Sequence, residues 1–262
     1  MTASSDIVLS IEHVAVRFGG LLAISDMTFS VRQGQIVGLI GPNGAGKTTA
    51  FNVITGFLQQ TSGEVIYRGT PLRGLASHEI AKLGLVRTFQ RTSVFQERTV
   101  FQNVLTALHC QGTSRLWDTL FRTRREIASE RALQDRATEL LQFVGLAHRA
   151  DELAGALPYG EQRLVGVALA LSVNPSMLLL DEPVSGMNPT ETARFVGLVQ
   201  QIRESNVTIL LVEHDMKMVM GVCDNIVVLN YGRIIAEGPP AEIQNNPEVI
   251  RAYLGEGKKK RA

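Results

Sequence analysis

Gly41-Pro42-Asn43-Gly44-Ala45-Gly46-Lys47-Thr48-Thr49 satisfies the pattern G-x-x-x-x-G-K-[ST] at every fixed position. Its flanks decide how to read it. Upstream, Gln35 to Ile40 is a short apolar run expected to form a buried strand. Downstream, Thr48 to Phe57 carries apolar residues at Phe51, Ile54 and Phe57, which suits a helix closed at Gly56. Gly41, Gly44 and Gly46 allow positive φ and a close approach of the backbone to an anion. Successive N–H groups then form a nest, and the helix N-terminus adds partial positive charge. Lys47 can reach the β- and γ-phosphates of a nucleotide, and the Thr48 hydroxyl can ligate Mg²⁺. This is a nucleoside triphosphate site.

Two later stretches supply what such a loop lacks. Met177-Leu178-Leu179-Leu180 is a continuously apolar strand running into Asp181-Glu182. A strand beside the phosphate-loop strand is expected to deliver Asp181 at the carboxyl edge, where open α/β sheets bind ligands. Asp181 would hold Mg²⁺, mostly through water, and Glu182 would polarise an attacking water. Val207 to Val212 is a second buried strand, and it brings His214 to the same edge for a phosphate or water contact. Phe18 precedes the loop; from its residue type alone it serves equally as a base-stacking ring or as a core side chain.

Composition narrows the class. The chain has 262 residues, of which 45% are hydrophobic, enough for a large α/β domain with an inserted subdomain. Lys and Arg number 26 against 25 Asp and Glu, so no global field points to nucleic acid. Cys110 and Cys223 lack metal-ligand spacing, which fits a reducing compartment. Met1 to Asp6 has no signal-peptide pattern, and the longest apolar run, Leu164 to Val173, is too short for a bilayer. Any membrane spans must come from other chains. Lys258 to Arg261 reads as a solvated basic tail, with weak attraction to anionic lipid as the alternative.

Around these stretches, strands are expected at Ile7–Phe18, Met27–Val31, Glu64–Tyr67 and Leu85–Phe89, giving a mixed sheet with an antiparallel part beside a parallel core. Val100–His109 and Arg124–Val144 read as helices, the second with an apolar face of Ile127, Leu133, Ala137, Leu140, Leu141 and Val144. Glu161–Val173, Thr190–Ser205 and Met216–Val222 are further helices. Asn230-Tyr231-Gly232 signals a hairpin, and Pro240–Leu254 is helical with a break at Pro247. Residues 7–90 and 158–239 are read as the catalytic core, 91–157 as a helical subdomain, and 240–262 as a C-terminal helix with its basic tail.

Taken in order, Gly41 to Thr49, Gln90, Leu157-Pro158-Tyr159-Gly160-Glu161, Leu178 to Glu182, Ser185 to Asn188 and His214 resemble an ABC (ATP-binding cassette) ATPase. Arg17 to Leu21, Gly186-Met187-Asn188-Pro189, Val212 to Met216 and Asn246-Pro247 through Gly255 look more narrowly like the ATP-binding subunit of branched-chain amino-acid importers; urea-type and lipopolysaccharide-export relatives share much of this set. The resemblance implies a P-loop NTPase cassette, with a RecA-like mixed sheet, an antiparallel β subdomain and an inserted helical subdomain. It implies ATP and Mg²⁺ as cofactors, and Phe18 stacked on adenine. Gln90 would sense metal and γ-phosphate, His214 would be the switch histidine, and Tyr159, Gly160 and Glu161 would cap nucleotide held by a second ATPase subunit. Its expected partners are that subunit, two polytopic membrane subunits and an external solute-binding protein, at the cytoplasmic face of the inner membrane.

Two positions depart from the family pattern: Pro158 stands where Ser is usual and Glu161 where Gln is usual. Pro158 removes a hydroxyl and an N–H from the cradle, and Glu161 brings negative charge towards a polyanion, so a weakened composite site is expected. Soluble ABC ATPases of translation or repair usually carry two cassettes or long insertions. P-loop kinases and GTPases would lack His214 and the Tyr159-Gly160 signature.

Overall fold

Three strands explain the sheet. Ile36–Ile40 (β3), Met177–Asp181 (β7) and Thr208–Val212 (β8) are buried at all five positions each. Such continuous apolar runs suit parallel strands covered on both faces. Residues 6–88, 94–109 and 124–254 are described by the computed structural model, the side chains of 124–127 and 254 excepted. The remaining strands are β1 (Ile7–Phe18), β2 (Leu21–Arg32), β4 (Ser62–Tyr67), β5 (Thr70–Pro71), β6 (Leu85–Arg87), β9 (Asn225–Asn230) and β10 (Arg233–Gly238). Among the described residues they form one sheet in the order β5-β4-β1-β2-β10-β9-β3-β8-β7-β6. β9, β3, β8, β7 and β6 are parallel neighbours, while β5, β4, β1 and β2 pair antiparallel. The expected mixed α/β sheet is what forms.

One expected adjacency is wrong. β7 does not lie beside the phosphate-loop strand: β8 separates them, with Ile36 opposite Ile209 on one side and Leu178 opposite Ile209 on the other. Hydrophobic runs report burial on two faces but not which neighbour fills each edge. β2 also starts at Leu21 rather than Met27, because Phe18–Leu21 and Arg17–Leu22 pairing with β1 extends the ladder past the expected start.

Two compact units result. One contains Met1–Arg87, Ser176–Ser185 and Thr192–Ala262, and the other Thr88–Pro175 and Gly186–Glu191. In the first, helices α1 (Lys47–Ile54) and α2 (Ser77–Lys82) follow the phosphate loop. Phe51 and Ile54 of α1 are fully buried in a core shared with Ile11, Met27, Leu39, Leu179 and Leu210. Each such side chain contributes roughly 1.5–3 kcal/mol.

The second unit packs α3 (Val100–His109), α4 (Arg124–Phe143) and α5 (Tyr159–Ser172). Ala137, Leu140, Leu141 and Val144 are buried as the spacing predicts. Asn103, also buried, donates to the Phe95 and Thr99 carbonyls and accepts from the Phe95 amide at 2.8 Å. α5 belongs to this unit, although residues 158–239 were expected in the core. Its Val165 and Ala168 are buried and the helix packs on α3 and α4; packing, not chain continuity with β7, decides its membership.

The chain then continues through α6 (Pro189–Glu204), α7 (Met216–Val222), α8 (Pro240–Gln244) and α9 (Pro247–Leu254). No helix among the described residues is long and apolar enough to cross a membrane.

Candidate nucleotide site

The loop between β3 and α1 is shaped by its glycines. Gly41 has φ +154°, and a Cβ there would stand 1.9 Å from the carbonyl oxygen of Leu229 on β9. Only glycine fits that approach. Gly46, at φ +108°, is the N-cap of α1 and leaves its first amides without a side-chain partner, as an anion site needs. Lys47 is nearly buried, and its Nζ donates to the Gly41 and Pro42 carbonyls at 2.7 and 3.0 Å. Burial lowers its pKa, while the negative charge of Glu182 acts to raise it. A phosphate oxygen would displace two neutral acceptors with a charged one, and charge-assisted bonds are roughly twice as strong.

Gly46 and Lys47 line a cleft of about 370 Å³ with Asn43, Gly44, Ala45, Thr48, Thr49, Glu182 and His214, while Gly41 and Pro42 shape the loop from behind that wall. Its remaining wall is Leu21, Leu22 and Ala23 of β2 and Tyr231 of the β9–β10 turn. The turn is tied to the loop by the Gly232 amide, which donates to the Ala45 carbonyl at 2.9 Å. Phe18 is half-exposed across the hairpin from Leu21, and the wall on that side is Leu21 and Leu22 rather than Phe18. Sequence reading did not single out those two leucines or Tyr231 for the site; hairpin register and a turn contact bring them there.

Glu182 and His214 leave neighbouring strands, β7 and β8, whose Asp181 and Val212 are paired. His214 Nε2 lies 2.8 Å from Glu182 Oε1. A carboxylate only accepts, so Nε2 carries the proton. Glu182 has φ +47°, an unusual backbone for a side-chain-bearing residue, held by its amide donating to the Val212 carbonyl at 2.9 Å. Such strain is concentrated at working sites.

Glu213 was read only as part of the strand end, and it has a larger role. It is buried; Oε1 accepts from the Val184 amide at 2.8 Å and Oε2 from the His214 amide at 2.9 Å. Burial raises its pKa, and the Val184, His214 and Asp215 amides partly offset that rise. It thus ties together the two loops that carry Glu182 and His214. Asp215 then caps α7, accepting from the Lys217 and Met218 amides at 2.9 and 3.0 Å.

Asp181 ends β7 with its side chain almost wholly buried, off the cleft wall and paired with Arg87. The Thr48 hydroxyl and the carboxylates of Asp181 and Glu182 are hard oxygen donors, the set that suits Mg²⁺ alongside substrate phosphates and water. Among the described residues no group of three or more His, Cys, Asp or Glu is gathered for a metal. Gln90 lies outside the described residues, as do Cys110 and the basic tail.

In the helical unit, Pro158 is the N-cap of α5 with no side-chain capping bond. Tyr159 Oη accepts from Arg163 Nη2 at 2.6 Å, and the guanidinium also lies 5.0 Å from the Tyr159 ring centre. Glu161 is not a bare charge: Arg149 Nε stands 3.2 Å from its Oε2. Asn188 caps α6 through the Thr190 and Glu191 amides, both at 3.0 Å.

A sequence profile described as ABC transporter matches residues 24–185, spanning the glycine loop and the Asp181-Glu182 strand end. The chain belongs to the ABC transporter family. This ABC protein binds nucleotide and is an ATPase whose hydrolysis is coupled to transport. A second profile, branched-chain amino acid ATP-binding cassette transporter, matches residues 233–259. The chain is 46% identical over 249 residues to the high-affinity branched-chain amino acid transport ATP-binding protein LivG of Salmonella typhimurium, covering 95% of this chain and 98% of that one. It is 45% identical over 250 residues to the corresponding protein BraF of Pseudomonas aeruginosa, with the same coverage. The ADP conformation of MJ1267, an ATP-binding cassette of an ABC transporter, superposes with a TM-score of 0.83 at 33% identity, covering 95% of this chain and 99% of that one.

Proposed function

We propose that this ABC ATPase drives uptake of branched-chain amino acids, working at the cytoplasmic face of a membrane with polytopic permease subunits and an external solute-binding protein. The observation that carries the reading is the cleft joining Lys47, Glu182 and His214, in a chain that keeps 46% identity with a branched-chain amino acid transport protein along 95% of its length. The loop amides and Lys47 would hold the triphosphate, with Phe18 on the adenine. Thr48, Asp181 and Gln90 would hold Mg²⁺, which neutralises charge developing on the β- and γ-oxygens. Glu182, which accepts from the His214 Nε2–H, would take a proton from the attacking water.

Tyr159, Gly160 and Glu161 would cover nucleotide held by a second ATPase subunit. Binding two nucleotides closes such a pair and hydrolysis releases it. Pairing of Glu161 with Arg149 reduces the charge penalty at that N-terminus, which leaves Pro158 as the main departure.

The test is leucine uptake by cells lacking their own branched-chain importer ATPase and supplied with this chain and its permease subunits. Uptake restored by the wild type and lost in Glu182→Gln supports the reading. Restoration of urea-type transport without leucine uptake would replace the solute.

A further inference from the structure

Arg87 is the last residue of β6, and its side chain is only 10% exposed. Nη2 lies 2.5 Å from Asp181 Oδ2, whose side chain is 4% exposed. Nη1 donates to Asn52 Oδ1 at 2.7 Å and stands 3.5 Å from Thr55 Oγ1; Asn52 belongs to α1 and Thr55 ends it. The guanidinium carbon also lies 5.5 Å from the Phe51 ring centre and 6.0 Å from that of Phe57. One planar cation therefore joins the helix that opens with Lys47 and Thr48 to the carboxylate at the end of β7.

A buried ion pair is not by itself evidence of stabilisation, since desolvating two charges costs about what their attraction returns. Its value here is directional. Arg presents a rigid fork, so a guanidinium fixed by an amide oxygen and two ring faces in turn fixes the rotamer of the carboxylate it meets. Oδ2 is committed to Arg87, and Oδ1 carries no protein hydrogen bond among the described residues. Lysine, a flexible point charge, could keep the charge but not the orientation.

We propose that Arg87 is a positioning residue for the metal: it orients Asp181 so that one oxygen is spent on the protein and the other serves the cation held with Thr48. The inference rests on the nucleotide-site reading above. Arg87 touches neither substrate nor reacting atoms; it acts through Asp181.

The experiment is equilibrium binding of a fluorescent ATP analogue to the full chain, in EDTA and across a Mg²⁺ titration. Wild type, Arg87→Met, Arg87→Lys, Asp181→Asn and the double variant Arg87→Met/Asp181→Asn are compared. Removing the outer partner of a metal ligand typically costs about 10–100-fold in metal affinity. Arg87→Met should therefore raise the Mg²⁺ needed for half-maximal effect by about tenfold or more. Affinity in EDTA should stay close to wild type, and the double variant should be no worse than Asp181→Asn. Arg87→Lys should fall between wild type and Arg87→Met. If Arg87→Met does not fold, Arg87→Lys and Asn52→Ala carry the test, each needing a raised Mg²⁺ requirement. An unchanged requirement, or equal loss with and without Mg²⁺, overturns the proposal. Absence of any ATP binding by wild type would instead remove the nucleotide-site reading itself.

Discussion

The imidazole of His214 and the carboxylate of Glu182 meet at 2.8 Å because their strands are immediate neighbours in the sheet. The two residues are 32 positions apart in the chain, yet register alone brings them together. His214→Ala should remove the orienting donor and lower ATP turnover by about a hundredfold, within the range usual for acid–base groups. Nucleotide affinity should hardly change. Steady-state kinetics separates the two: a large rise in KM with kcat intact would assign His214 to binding instead.

Gly41 makes a sharper structural prediction. Gly41→Ala places a methyl 1.9 Å from the Leu229 carbonyl oxygen, so either the loop or β9 must move. Overpacking of this kind costs about 1–3 kcal/mol. A lowered melting temperature together with weakened nucleotide binding is expected. Gly44 has no neighbour within 4 Å of its added Cβ and should tolerate alanine better in space, though its φ of +81° still penalises the change.

Much of this site was legible because it obeys local rules. A continuous apolar run ending in Asp181-Glu182, and another ending at His214, are one-dimensional signals of strands delivered to a sheet edge. Ile7–Phe18 took its expected bounds because a Val- and Ile-rich stretch runs up to Gly19-Gly20. The order β3-β8-β7, the Arg87–Asp181 pair and the Glu161–Arg149 pair are contacts between distant segments, and no periodicity encodes them. Leu21 and Leu22 reach the cleft only because the β1–β2 ladder runs further than local propensity suggests.

Glu213 is a case of such hidden organisation, and it can be tested. Glu213→Ala leaves the buried Val184 amide without its acceptor, at about 1–3 kcal/mol, and removes the acceptor of the part-buried His214 amide. Turnover should fall more than nucleotide affinity, because the loops that carry Glu182 and His214 both loosen. Glu213 also predicts a pH effect. Its folded pKa is raised above 4.5, so the folded form binds more protons there and this group's contribution to stability is lost as pH rises through the raised value. Chemical unfolding of wild type and Glu213→Gln across that window should show the slope in wild type and its loss in the variant.

Pro158 caps α5 with no side-chain acceptor. Pro158→Ser restores a hydroxyl that can accept from the first turn, worth about 1 kcal/mol at an N-cap. Thermal stability of the chain should rise slightly, and ATPase activity of the assembled complex should increase. Unchanged activity would mean that the proline does not limit the site it covers.

The central claim is that the amides of one glycine loop and the ammonium of Lys47 gather a triphosphate. Equilibrium binding of MgATP to the purified wild type and to Lys47→Ala measures it most directly. Saturable binding by wild type, weakened by at least about tenfold when the charge-assisted contact is removed, is the predicted result. Equal affinity in the two proteins, or none in wild type, would contradict it.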